Sequence, residues 1–217
     1  MANDVQSPII YLISGLGIDH RVFERLSFPF SFRHISWTDL NNSDTLAEYA
    51  TTLLSQIDQK KPVILIGLSF GGFIAQEIAK QIQVKKVILI SSLNGHKQMP
   101  NLYRILGFFR LQYLLPAKFL QNNPFTFALF GIKNRKSKEL LKRILEDTSL
   151  SFLKWATIQC LKWRSDKMEN CIQIHGSEDR IIPLKNVTAD VVIPEGSHFM
   201  IVDKHQIIQE QINIKVH

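Results

Sequence analysis

Residues 63–72 read Val-Ile-Leu-Ile-Gly-Leu-Ser-Phe-Gly-Gly, and apolar residues then recur at Phe73, Ile74, Ile78 and Ile82. A run that is apolar at consecutive positions suits a strand buried on both faces, which requires helices on both sides of the sheet. The following spacing is that of an amphipathic helix, predicted over Phe70 to Ile82. Between the two lies G-x-S-x-G, with Gly67 and Gly71 leaving room for close backbone approach on a sharp, strained turn. Such a turn lifts the Ser69 hydroxyl above the edge of a sheet, where it can act as a nucleophile.

The rest of the chain repeats the alternation. Strands are predicted at Pro8 to Ile13, Pro62 to Ile66, Lys86 to Ile90 and Cys171 to Ile174, with weaker ones at Arg33 to Trp37 and Asp190 to Ile193. Helical segments fall between them: Asp44 to Ile57, opened by Asp44 as a cap, and Leu150 to Trp163. Alternating strands and helices imply a mostly parallel sheet of about six strands in one α/β domain, and 217 residues suffice for one such core. From Lys97 to Leu150 the pattern turns helical or irregular, with Pro100, Pro116 and Pro124 as breaks. Tyr103, Phe108, Phe109, Tyr113, Phe119, Phe125, Phe127 and Phe130 crowd its first part. We read residues 1–96 and 151–217 as the core and 97–150 as an inserted helical cap.

A serine hydroxyl is a poor nucleophile at neutral pH and needs a base, which in turn needs an orienting acid. His198 lies in Pro194-Glu195-Gly196-Ser197-His198-Phe199, after the Asp190 to Ile193 strand and before the last helix. Asp179 lies in His175-Gly176-Ser177-Glu178-Asp179-Arg180, directly after the Cys171 strand. Glu178 competes with Asp179, and His175 competes with His198; the G-x-x-D spacing from Gly176 favours Asp179, and His175 reads as a residue that supports packing or loop hydrogen bonds. An acid after an earlier strand is excluded, because Ser91-Ser92-Leu93-Asn94 carries no carboxylate.

In the order Ser69, Asp179, His198 the chain resembles the α/β-hydrolase superfamily over residues 8–96 and about 165–217. The resemblance implies an α/β-hydrolase fold with a lid over the nucleophile and an acyl-enzyme on Ser69, with His198 as general base and then acid, and Asp179 holding the imidazole. It also implies an oxyanion hole made by the backbone N–H groups of Phe70 and of Leu16 in Ser14-Gly15-Leu16-Gly17. Ser14 stands where the commonest pattern of the family has histidine, so a backbone donor survives while any bond from that histidine is lost. Asp19, just beyond, is expected to cap a helix. A serine at the elbow argues against dehalogenase or epoxide chemistry, which uses aspartate there in this superfamily.

No cofactor or metal is expected. Gly15 and Gly17 lack the third glycine and the later acid of a dinucleotide fold, and no ligand cluster is visible. Cys160 and Cys171 are too few for a disulfide framework and read as reduced thiols. With an acidic N-terminus and no apolar run near ~20 residues, the expected setting is cytoplasmic.

The net charge of +7 is concentrated: residues 97–150 hold ten Lys and Arg against three acids, and the remainder balances at 16 against 16. That segment suggests an anionic substrate or an acidic carrier protein, so the main reading, an ester hydrolase acting on a small molecule, has a rival in a carrier-linked acyl ester hydrolase. A third reading is a non-catalytic module using the basic segment on a membrane surface or nucleic acid; an intact triad speaks against it, and no nucleic-acid partner is expected.

Overall fold

A computed structural model describes residues 7–40, 45–110 and 123–216. Six strands form one wholly parallel sheet in the order β2-β1-β3-β4-β5-β6: β1 (Ile9–Ile13), β2 (Phe32–His34), β3 (Val63–Leu68), β4 (Lys86–Ile90), β5 (Cys171–Gly176) and β6 (Val191–Ile193). The helices are α1 (Leu46–Leu53), α2 (Phe70–Ala79), α3 (Asn101–Phe108), α4 (Pro124–Phe130), α5 (Arg135–Asp147), α6 (Leu150–Lys162), α7 (Met200–Asp203) and α8 (His205–Val216).

The apolar runs are buried on both faces, as their lack of alternation requires. Ile9, Tyr11, Ile13, Val63, Leu65, Val87 and Leu89 pack with residues of α1, α2 and α6. The intervening Ile10, Leu12, Ile64, Ile66, Ile88 and Ile90 pack on the other side with α5, α7 and α8. Side chains that alternate along a strand thus feed two separate cores. Helix α5 shows how its own sequence divides: Leu141, Ile144 and Leu145 are buried, while Arg135, Lys136, Lys138, Lys142 and Arg143 are exposed.

Boundaries differ from the sequence reading in instructive ways. Thr45 caps α1 in a reciprocal capping box with Glu48; Asp44, the expected cap, lies outside the described residues. Helix α1 tightens into a 3₁₀ turn over Leu54–Gln56 before Ile57. Helix α2 ends at Ala79, and β2 pairs only with β1 and over three residues, leaving Trp37 in the loop beyond it.

Candidate active site

The elbow is built as its glycines require. Ser69 sits at φ 49°, a left-handed backbone that costs a non-glycine residue of order 1–3 kcal/mol and persists only where its surroundings impose it. They do so here: Ser69 N–H donates to Ile90 O at 2.9 Å, and its carbonyl accepts from Ser92 Oγ at 2.7 Å and Gly72 N–H at 2.9 Å. A β-carbon at Gly71 would stand 2.2 Å from Ile13 O, and one at Gly67 would stand 2.5 Å from Gly71 O, so helix, elbow and β1 meet backbone to backbone.

Ser69 Oγ lies 2.9 Å from His198 Nε2, and His198 Nδ1 lies 2.8 Å from Asp179 Oδ2. His198 is 2% exposed and Asp179 4%. The other oxygen of Asp179 accepts N–H bonds from Ile181 at 2.9 Å and Ile182 at 2.8 Å, two partners that sequence reasoning did not supply. Burial pushes the Asp179 carboxyl up, but His198, the Ile182 N–H and His175 together outweigh it and hold the group below the usual carboxylate range. The loops of acid and base are tied to each other, Glu178 N–H to Gly196 O at 2.8 Å and Glu195 N–H to Ser177 Oγ at 2.8 Å.

The competitors are placed elsewhere. The Glu178 carboxylate is turned outward into an ion pair with Lys133 at 2.9 Å, with 46% of its side chain exposed. His175 is fully buried, its Nε2–H donating to Ile182 O at 2.8 Å, and Nε2 is 3.4 Å from Asp179 Oδ2. It therefore braces the acid's loop rather than meeting Ser69.

Burial lowers the His175 pKa against the opposing pull of Asp179, so the folded protein keeps the ring neutral in a range where the unfolded chain takes up a proton below about 6.5. The unfolded state then binds more protons, and stability is expected to fall as pH drops through about 6.5. The contribution of this residue is at most about 1.4 kcal/mol per pH unit. Urea midpoints at pH 7.5 and 5.5 check this: His175→Gln should show a smaller drop between the two than wild type, and an equal drop would contradict it.

The Ser14-Gly15-Leu16-Gly17 loop passes over the elbow, where a β-carbon at Gly15 would stand 3.2 Å from Ser69 Cβ. Neither Leu16 N–H nor Phe70 N–H donates a backbone hydrogen bond within the described residues. Asp19 caps the 3₁₀ turn His20–Phe23 by accepting from Arg21 N–H at 3.0 Å, and it also holds the Arg21 guanidinium.

The described aromatic residues of 97–150 divide between the surface and the site. Phe108, Phe109 and Phe125 are 79%, 63% and 62% exposed; Tyr113 and Phe119 lie outside the described residues. Phe130 approaches the site, its ring 5.5 Å from that of His198, and burial raises the Tyr103 pKa with help from the Asp179 carboxylate, which lies near enough to add to it. The rings beside the elbow are instead Trp37, Phe152 and Trp155, which stand 5.6, 6.2 and 6.2 Å from the Phe70 ring. Two of these belong to α6, a segment that the sequence placed outside the insertion.

Of the ten basic residues in 97–150, Lys133, Arg135 and Lys142 form ion pairs with Glu178, Glu139 and Glu146, and Lys118 lies outside the described residues. Cys160 and Cys171 are free, and burial pushes both thiols up to about 12. Among the described residues no group of three or more His, Cys, Asp and Glu is arranged to hold a metal ion, and no helix is long and apolar enough to cross a membrane.

Comparison with solved structures finds the same architecture at low identity. A lipase-esterase related protein from Clostridium acetobutylicum superposes with a TM-score of 0.68 at 17% identity, covering 94% of this chain and 93% of that one. A hydrolase from Pseudomonas aeruginosa gives 0.69 at 14%, covering 97% and 90%. MenH from S. aureus gives 0.69 at 14%, covering 99% and 95%. No curated protein matches the chain. The alpha/beta hydrolase family model matches residues 10–210, a span from β1 into α8 that takes in the elbow, the acid loop and the histidine loop. With that match and a parallel six-stranded sheet, the chain belongs to the alpha/beta hydrolase family.

Proposed function

We propose that the protein hydrolyses an ester-like acyl bond of a small molecule through an acyl-enzyme on Ser69. The observation that carries this reading is the unbroken line of hydrogen bonds from Ser69 Oγ through His198 to Asp179, at 2.9 and 2.8 Å. His198 Nε2 takes the hydroxyl proton as Oγ attacks the carbonyl carbon, and the carbonyl oxygen, now negative, is held by the N–H groups of Leu16 and Phe70. The tetrahedral intermediate collapses as His198 returns the proton to the leaving oxygen. Water then enters and His198 again acts as base, releasing the acid and restoring Ser69. Asp179 fixes the imidazole with Nδ1–H toward itself, leaving Nε2 as acceptor.

Membership in the family and the likeness to a lipase-esterase related protein support hydrolysis. The outward basic face of α5, where Lys136 and Arg143 are exposed and form no ion pair among the described residues, is the feature that favours a carrier-bound acyl ester as a second reading. Turnover of p-nitrophenyl esters by the purified protein tests the proposal. Release of p-nitrophenol in proportion to enzyme, abolished by Ser69→Ala, is the expected result; no release from any ester of the series would contradict it.

A further inference from the structure

A cleft of about 770 Å³ opens between the loop that follows β1, the loop that follows β2, the end of α5 and the start of α6. Its apolar walls are Trp37, Leu40, Phe152, Trp155 and Ile158. The Phe70 ring stands behind three of these, within 5.6 to 6.2 Å of each, and Phe70 is the residue next to the nucleophile. Gly17 and Ile18, which continue the loop that crosses Ser69, also line it.

Which half of an ester this cleft receives follows from the position of His198. The leaving oxygen must take its proton from His198 Nε2, so the leaving group lies on the histidine side of the scissile bond. Gly17 and Ile18, at the end of the loop that crosses Ser69, line the cleft, and no residue of the elbow or of the loops that carry His198 and Asp179 does. A cleft reached along the loop that crosses Ser69, and apart from the histidine loop, is placed to receive the acyl chain rather than the leaving group.

The charges on its walls point the opposite way from the basic segment. Asp19, Asp39 and Asp147 line the cleft against one amine, Lys154. Arg21 neutralises two of the acids, bonding Asp19 at 2.6 Å and Asp147 at 2.7 Å, so the cleft holds no surplus of positive charge. A carboxylate carried into it would lose water against indole and phenyl rings and would meet more acid than base.

On the reading that Ser69 is acylated, we infer that this cleft is the acyl site, and that it takes a bulky uncharged acyl group, a chain of about eight carbons or an aryl group, rather than the acyl group of a dicarboxylate monoester. Its volume lies in the range of pockets that enclose groups of this size. Each methylene buried there should raise affinity about fourfold.

The test uses p-nitrophenyl esters, so that the leaving group is constant. For wild type, kcat/KM should be at least about tenfold higher for the octanoate than for the acetate, mainly through KM. It should also be at least about tenfold higher for the octanoate than for the suberate monoester, which has the same chain length and a terminal carboxylate. Ile158→Trp and Ser151→Trp each place a ring into the cleft from α6. Each should cut the octanoate-to-acetate ratio at least about tenfold.

A ratio unchanged in both variants, or a suberate monoester turned over as well as the octanoate, would overturn the acyl-site assignment while ester turnover itself stood. Loss of all ester turnover in wild type would instead overturn the Ser69 reading, and the acyl site with it. Retention of wild-type circular dichroism by at least one variant shows that the ratio reports the cleft.

Discussion

Replacing Ser69 with alanine is expected to lower ester turnover about 10⁴-fold or more, while the urea midpoint stays within about 1 kcal/mol of wild type. The two halves of this result have different origins. In the proposed mechanism the hydroxyl is the group that becomes acylated, and no neighbour can substitute for it: Ser92 Oγ is committed to the Ser69 carbonyl at 2.7 Å, and Ser91 Oγ is fully buried. The fold does not depend on the hydroxyl, because the elbow is held by backbone bonds of Ser69 to Ile90 and Gly72, which alanine keeps. Alanine also keeps the β-carbon, so the strain of φ 49° is unchanged. Residual turnover then measures what the oxyanion donors achieve without a nucleophile. Activity within tenfold of wild type would remove Ser69 from the mechanism.

Asp179→Asn is expected to cost about 10⁴-fold in kcat, and Glu178→Gln less than about threefold. The cost at Asp179 depends on which end of the amide faces which partner. Ile181 and Ile182 present two N–H donors at 2.9 and 2.8 Å to one oxygen of residue 179, and only a carbonyl can answer them. An asparagine therefore keeps its oxygen there and turns its NH₂ toward His198 Nδ1. That nitrogen must then accept, the ring proton moves to Nε2, and His198 can no longer take the proton of Ser69. At Glu178 the charge lost is half of an exposed pair with Lys133, worth ~0–1 kcal/mol and remote from the imidazole. A greater loss at Glu178 than at Asp179 would move the acid to residue 178. Both rates should be measured with the same ester under saturation.

Much of this arrangement is written locally in the chain. The four strong strands announce themselves because a parallel strand must be apolar on both faces, and Ile64 and Leu65 do go to opposite cores. G-x-S-x-G carries its own geometry, since the close approaches at Gly67 and Gly71 exclude any side chain. The order of Asp179 and His198 after successive strands is equally local.

What was not legible depends on tertiary direction. The sequence shows that Trp37, Phe152 and Trp155 are apolar, but not that a loop after a three-residue edge strand and the first turns of a helix more than a hundred residues later share one wall with Phe70. For the same reason the crowded phenylalanines of the insertion looked like a lid lining, whereas Phe108, Phe109 and Phe125 face outward. The direction in which the charge of the insertion points was likewise not legible. A count of +7 over 97–150 says nothing about direction, and the amphipathic spacing of α5 sends its basic residues to the surface while Asp147, at its end, lines the cleft beside Trp155.

The proposed mechanism depends above all on the reactivity of one oxygen, Ser69 Oγ. Treating the folded protein with a fluorophosphonate and mapping the adduct by peptide mass spectrometry should place a single phosphonyl group on Ser69, with labelling lost in His198→Ala although the serine is still present. An adduct on another residue, or no adduct while a control serine hydrolase is fully labelled, would contradict the acyl-enzyme on Ser69.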